Sequence, residues 1–170
     1  MQDASQPDRT ASVLNPSDIQ IAAVDPASQA AQQCLHSYFA ELALRFEGGF
    51  DPGPGATINL AAYNDPHGCF LVADCDALPL GCVGLAGNGT TLAEVKRLWI
   101  TPAARGLGLA SRLMQAVETR AVALGITRLR LDTNRSLTHP IAMYRAKGWT
   151  EIARYNDNAY ADHWFEKALG

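Results

Sequence analysis

Charged residues are scarce in this chain of 170 residues. Asp, Glu, Lys and Arg make up 18% of it, and 14 basic residues against 17 acidic ones leave a formal net charge of −3. That balance argues against nucleic acid or an anionic membrane as the main partner, because both are held first by basic side chains. Long apolar runs are missing too. None reaches the ~18–20 residues that cross a bilayer. The start, Met1-Gln2-Asp3-Ala4-Ser5, has neither the basic nor the apolar region of a signal peptide. Cys34, Cys69, Cys75 and Cys82 lack C-x-x-C spacing and stand in apolar contexts, so they read as buried thiols, as suits a reducing cytoplasm. His36, His67, His139 and His163 lack metal-ligand spacing. The expectation is a cytoplasmic protein without a metal. What the chain does have is hydrophobic residues, 48% of the total, enough at this length for one domain with a sizeable core.

Residues 1–17 are polar, contain Pro7 and Pro16, and read as a loose tail ahead of a domain spanning 18–170. Ile19 to Val24 is a candidate strand. Asp25-Pro26 and Ser28 then signal a helix, in which Cys34, Leu35, Tyr38, Phe39 and Leu42 recur at helical spacing up to about Arg45. Phe46 to Ala56 holds too much glycine and proline for regular structure and is either a mobile substrate loop or a plain connector. Cys69–Asp74 and Leu80–Ala86 read as strands joined by a turn around Asp76-Ala77-Leu78-Pro79. Asn88-Gly89 marks another turn, and Glu94–Ile100 a third strand. A helix from Gly108 to Leu124 shows the stripe Leu109, Leu113, Met114, Val117, Ala121 and Leu124, with Gly125 placed to end it. Arg128–Asp132 alternates like a half-buried strand. Pro140–Lys147 reads as a short helix stopped by Gly148, with closing strands at Trp149–Ala153 and His163–Ala168. The order predicts an α/β class fold, one domain with a mixed sheet.

The most informative run is Arg105-Gly106-Leu107-Gly108-Leu109-Ala110-Ser111. It lies between an apolar strand and a long amphipathic helix. Its glycines allow a tight turn and close approach to a ligand, the first free N–H groups of the helix point back into that turn, and Arg105 adds a positive charge. Together these suggest a pyrophosphate cradle. A dinucleotide fold fits poorly, since Ser111 stands at the third glycine position and Thr101-Pro102-Ala103-Ala104 makes the turn too long. A P-loop is excluded because no Gly-Lys-Ser/Thr follows.

Arg105-Gly106-Leu107-Gly108-Leu109-Ala110 resembles the Q/R-x-x-G-x-G/A signature of the GNAT superfamily of N-acetyltransferases, and Leu98-Trp99-Ile100-Thr101-Pro102 resembles its strand-then-proline lead-in. Met143-Tyr144-Arg145-Ala146-Lys147-Gly148-Trp149 is similar to its L-Y-x-x-x-G-F element, in the right order. Tyr38-Phe39-Ala40-Glu41-Leu42, Asp132-Thr133-Asn134 and Tyr155-Asn156-Asp157-Asn158 resemble a bacterial branch whose acceptors are generally unassigned. The resemblance implies a mainly antiparallel sheet flanked by helices, and acetyl-CoA as the acyl donor. It implies that Leu98, Trp99, Ile100, the run Arg105, Gly106, Leu107, Gly108, Leu109, Ala110 and Ser111, and also Asn134 and Tyr144 bind the coenzyme.

Acetyl transfer to an amine needs a neutral amine, an aligned thioester, a stabilised oxyanion and a protonated leaving thiolate. Neutralising a lysine-like amine at pH 7 costs ~4–5 kcal/mol, an α-amine only ~1–2 kcal/mol. The resemblance offers Glu94 as the base, acting directly or through water; the alternative is an ion pair with Lys96 or Arg97. It offers Tyr144 as the acid that meets the coenzyme sulfur; the alternative is a packing aromatic. The main-chain N–H of Trp99 or Ile100 is the expected oxyanion donor. Tyr38, Glu41, Arg45, Phe50, Tyr155 and Asn156 are candidates for the acceptor pocket, where Arg45 would suit an acceptor carboxylate. The expected activity is direct transfer from acetyl-CoA to a primary amine of a small molecule or peptide. A non-catalytic acyl-CoA sensor and a dinucleotide-dependent oxidoreductase are the rivals. Any self-association is expected to give a homodimer, the commonest homo-oligomer.

Overall fold

Period-two segments and the 3.6-period stretches between them resolve into a single sheet with helices on both faces. The computed structural model describes residues 13–51 and 60–170. The expectations for residues 1–12 of the tail and 52–56 of the glycine-rich loop lie outside the described residues. In chain order the elements are β1 (Gln20–Val24), α1 (Gln29–Arg45), β2 (Cys69–Cys75), β3 (Leu78–Gly87), β4 (Leu92–Ile100), α2 (Leu109–Ala123), β5 (Arg128–Thr133), α3 (Thr138–Ala146), β6 (Thr150–Ile152) and β7 (His163–Ala168). Single 3-10 turns occupy Pro16–Asp18, Leu60–Tyr63 and Pro102–Ala104.

The strands form a seven-stranded sheet in the order β1-β2-β3-β4-β5-β7-β6. Neighbours run antiparallel except β4 and β5, whose parallel pairing is made possible by the α2 crossover. The sheet is therefore mixed and mainly antiparallel, as expected. Alternate residues of β2 feed opposite faces. Phe70 and Val72 join Ala31 and Cys34 of α1 and Cys82 of β3 in a small cluster. Leu71 and Ala73 join the larger core with Leu113, Met114 and Val117 of α2, Leu131 of β5 and Phe165 of β7. Burial of central strands on both faces explains why their sequences run apolar without a clean alternation.

Local signals set the boundaries. The Ser28 hydroxyl accepts from the Ala31 N–H at 3.4 Å and caps α1. The β2–β3 hairpin turns on Asp76 and Ala77 alone, both with positive φ (50° and 63°), so β3 begins earlier than expected, at Leu78. The end of the expected tail also differs. Leu14 packs against the large core, and the Arg112 guanidinium of α2 donates to the carbonyls of Pro16 (2.9 Å) and Ile19 (2.8 Å). A charged partner on a rigid helix thus orders residues that composition alone marks as loose.

Two irregularities shape the functional region. First, β4 and β5 pair only over Leu92–Arg128, Ala93–Leu129 and Glu94–Arg130. Beyond Glu94 each strand continues against its other neighbour, and a cleft opens between them. Second, β4 carries one residue more than β3 between the pairs Gly84–Lys96 and Cys82–Trp99. This bulge holds Arg97 at φ 63°, a conformation that costs a non-glycine residue roughly 1 kcal/mol and that re-aims the side chain.

Candidate active site

Gly106 and Gly108 have φ of 82° and 74°, and a Cβ added at either would meet nothing within 4 Å. They are required by backbone conformation, not by crowding. Gly108 is the N-cap of α2 and supplies no capping side chain. Arg112 is the first residue whose N–H bonds back, to the Gly108 carbonyl at 3.2 Å. Among the described residues the N–H groups of Gly106, Gly108, Leu109, Ala110 and Ser111 have no protein acceptor. A Ser or Asp cap would have claimed one of these donors. Left open, they form a row of aligned N–H groups at the positive end of a 15-residue helix, a set that fits a diphosphate. The Leu109 side chain meanwhile is buried in the large core, with Leu107 and Ala110 packed against it, and this fixes the turn to the sheet.

The cleft holds a cavity of about 130 Å³ walled by Val95, Lys96, Arg97 and Leu98 of β4, by Leu131, Asp132 and Thr133 of β5, and by Tyr144 of α3. Tyr38, Phe46, Phe50 and Tyr160 close its far side. The last three form a continuous aromatic wall, with Phe50 and Tyr160 centroids 4.5 Å apart and Phe46 and Tyr160 5.2 Å apart. Tyr144 is 6% exposed and its ring lies 6.0 Å from Trp149 and 5.8 Å from Phe165. Its hydroxyl has no hydrogen-bond partner among the described residues. Burial, foremost, with the nearby Tyr38 and Asp132, pushes the phenol above its usual range, so it keeps its proton at any working pH.

Glu94 and Asp132 both stand near this cleft but are placed differently. Glu94 sits at the last β4–β5 pair and does not line the cavity. Its carboxylate meets Lys96 Nζ at 3.5 Å and accepts from the Tyr155 hydroxyl at 3.4 Å. Asp132 lies two residues beyond the last paired residue of β5 and is on the cavity wall. Asn156 donates to one of its oxygens at 2.6 Å and Asn158 to the other at 3.0 Å, while the Trp164 indole fixes Asn156 at 2.9 Å. The carboxylate that reaches the cavity is therefore Asp132, because the parallel pairing stops before it and not before Glu94.

Arg105 is placed differently from the phosphate contact expected of its side chain. Its guanidinium meets both Glu41 oxygens (2.8 and 2.6 Å) and the Ile100 carbonyl (3.0 Å). Glu41 also accepts from Arg45 at 2.8 Å and from the Trp99 indole at 2.9 Å. Burial opposes ionisation of Glu41, but Arg105, Trp99 and Arg45 outweigh it and hold the carboxyl below its usual range. Glu41, Arg45 and Trp99 thus tie α1 to the glycine turn and stay off the cavity wall, with Arg45 paired to Glu41. Tyr155 lies under Arg130 (5.0 Å) with its hydroxyl on Glu94. Asn134 lines the cavity, but its amide donates to the Tyr160 carbonyl at 2.7 Å and its oxygen accepts from the Ser136 N–H at 2.9 Å. Trp99 and Ile100 are in register with Cys82 and Gly81, so the break in β4 pairing falls at Arg97 and Leu98. Sequence reasoning missed Asp132, Arg97, Phe46 and Tyr160 as cavity residues. For Asp132 the signal was its place at the end of a strand following the crossover helix.

Among the described residues no helix is long and apolar enough to cross a membrane, and no group of three or more His, Cys, Asp and Glu could hold a metal ion. Residues 35–149 match the model of the acetyltransferase (GNAT) family. The chain is 29% identical over 154 residues to an uncharacterized N-acetyltransferase of Schizosaccharomyces pombe, covering 86% of this chain and 91% of that protein. It is 33% identical over 99 residues to an IAA acetyltransferase of Azospirillum brasilense, covering 55% and 62%. Among solved structures, a GNAT-family acetyltransferase from Staphylococcus aureus superposes with a TM-score of 0.75 at 16% identity over 89% of this chain and 99% of that one. The PaiA N-acetyltransferase of Thermoplasma acidophilum, in complex with coenzyme A, superposes with a TM-score of 0.65 at 16% identity over 88% and 98%. The chain belongs to the acetyltransferase (GNAT) family, and it is an acyltransferase that depends on acetyl-CoA.

Proposed function

We propose that this acyltransferase moves the acetyl group directly onto a primary amine of a small acceptor seated between β4 and β5. The observation that carries the reading is the Tyr144 hydroxyl, which has no hydrogen-bond partner among the described residues, in a cavity walled by β4, the strand that leads into the turn with the open N–H groups of Gly106 to Ser111. Those N–H groups hold the diphosphate, and acetyl-CoA supplies the acyl group and a sulfur leaving group. The break in pairing at Arg97 and Leu98 leaves β4 main chain at the cavity as the candidate oxyanion donor.

Asp132 orients the incoming ammonium and accepts its proton. Both of its oxygens are already fixed by Asn156 and Asn158, so little reorganisation is needed. Proton removal from an α-amine near pKa ~8 costs only ~1–2 kcal/mol at pH 7, so a carboxylate that positions the amine is enough. Glu94, at the root of the cleft, supports this side of the site through Tyr155 and Lys96. Tyr144 presents its hydroxyl proton to the leaving sulfur. A phenol is a weaker acid than a free thiol by ~2 kcal/mol, and burial weakens it further. Its part is a hydrogen bond that strengthens as charge grows on the sulfur, in a cleft where that charge is equally desolvated.

The test is release of coenzyme A thiol from acetyl-CoA across a panel of amino acids, polyamines, aminoglycosides and peptide N-termini, with coenzyme A affinity measured alongside. Turnover with an amine is the expected result. Tight coenzyme A binding with no turnover on any amine would leave an acyl-CoA sensor in its place.

A further inference from the structure

The arginines of this fold are nearly all engaged. Arg45 and Arg105 meet Glu41, Arg120 meets Asp65, Arg128 and Arg130 meet Glu166, Arg135 meets Asp162, Arg145 meets Glu151 and Arg154 meets Asp157. Arg112 is held by two main-chain carbonyls. Among the described residues Arg97 alone has neither a carboxylate nor a carbonyl partner, and it lines the cavity. Its guanidinium carbon lies 5.0 Å from the Phe39 ring centroid and 5.9 Å from that of Tyr38. Such contacts hold a guanidinium without consuming its capacity to bind a planar anion in two places.

The backbone is built to put it there. Arg97 is the extra residue of the β4 bulge, at φ 63°, and the Cys82 thiol donates to its carbonyl at 3.2 Å. A non-glycine residue kept in this conformation beside a cavity is a mark of function. The neighbouring cation, Lys96, is paired with Glu94 at 3.5 Å. The cavity thus carries one positive group without a carboxylate partner among the described residues, Arg97, which hydrogen-bonds the Tyr38 hydroxyl, and one rigid negative group, Asp132. Both act on the hydroxyl of Tyr38, whose pKa burial raises most, with Arg97 lowering it and Asp132 raising it.

We propose that Arg97 binds the carboxylate of the acceptor, so that the acceptor is a small amine carrying an acid, an amino acid in the simplest case. This rests on the reading above, in which the amine end faces Asp132 and Tyr144. The volume of about 130 Å³ suits a molecule of that size, and Phe46, Phe50 and Tyr160 offer an apolar wall to its side chain.

The test compares L-alanine, L-leucine, L-methionine and L-phenylalanine with their primary amides as acceptors. The amides have the less basic amine, so intrinsic reactivity favours them, and a preference for the acid is the enzyme's own. For the best pair, kcat/KM for the acid is expected to exceed that for the amide by about 10–100-fold, the usual effect of losing a charge-assisted hydrogen bond. Arg97→Gln is expected to collapse that ratio, chiefly by raising KM for the acid, and Arg97→Lys to keep part of it. Arg97→Asn, which tolerates positive φ, repeats the test with the bulge preserved. Equal or better use of the amides by the wild type would overturn the proposal, as would a preference that survives Arg97→Gln and Arg97→Asn. If both variants fail to fold, the wild-type ratio still decides. Acetylation of n-butylamine or phenethylamine but of no amino acid would overturn the role of Arg97 and leave amine acetylation standing. Acetylation of no amine at all would remove both.

Discussion

Replacing Tyr144 by Phe separates stability from catalysis with unusual clarity. Among the described residues the hydroxyl has no hydrogen bond to lose, and the ring contacts with Trp149 and Phe165 survive the change. The cost of an unmade hydrogen bond, about 0.5–1.5 kcal/mol, therefore does not arise, and the stability change should stay within ~0.5 kcal/mol. Loss of a proton donor at the leaving sulfur should lower kcat/KM by ~10–10³-fold, a barrier increase of ~1.4–4 kcal/mol. Coenzyme A affinity should hold, because the N–H groups of the glycine turn are untouched. The wild type should also show no alkaline loss of rate from this phenol near its ordinary value, since burial has moved its titration upward. Chemical or thermal unfolding gives the first quantity and thiol release from acetyl-CoA the second. An unchanged kcat/KM would refute the donor role. A stability loss above ~2 kcal/mol would refute the claim that the hydroxyl is unpartnered.

Gly108→Ala should cost about 1 kcal/mol through its left-handed backbone alone, since the new methyl meets no protein atom within 4 Å; calorimetry should show coenzyme A affinity falling as the cradle distorts. Asp132→Asn should lower kcat/KM by ~10–10³-fold while leaving coenzyme A binding intact, read by steady-state kinetics over pH. Glu41 has a carboxyl pKa lowered in the folded state. Its contribution to stability is complete above the ordinary carboxylate range and is lost as pH falls through that range and below, so Glu41→Gln should flatten the acid limb of a stability profile. Leu113→Ala, at a fully buried position of α2, should destabilise by ~2–5 kcal/mol in denaturant titrations.

Much of this fold is legible from local pattern. The stripe of α2 and the glycines before it fix a strand–turn–helix unit without any tertiary information, and Ser28 announces α1. What is not legible depends on pairing. Nothing in His163–Ala168 says that β7 inserts between β5 and β6. The bulge at Arg97 is invisible because Lys96-Arg97 interrupts the alternation of β4 without any glycine to mark it. Glu94 and Asp132 are both acids on strands flanking the crossover. Only the register decides that pairing ends at Glu94 and that Asp132 meets the cavity. Arg105 and Glu41 are 64 positions apart, so a reading by motif assigns the charge of Arg105 to a phosphate before its protein partner can be seen. Asn156 illustrates the same limit: its value lies in holding Asp132, a contact that a search for pocket residues does not anticipate.

The three β4–β5 pairs, with the Thr127 and Arg128 N–H groups that donate to the Thr91 carbonyl just ahead of them, stitch the middle of the sheet at one end. On one side lie β1 to β4, on the other β5 to β7, so the polypeptide is divided at the same place in space and along its length. A guest lodged in the cleft touches both halves and acts as a rivet across this seam. Occupancy and heat resistance are thereby linked. At a hundredfold excess of free ligand over its Kd the folded form gains about 2.7 kcal/mol, which makes the melting temperature itself a reporter for the acceptor this enzyme was built to hold.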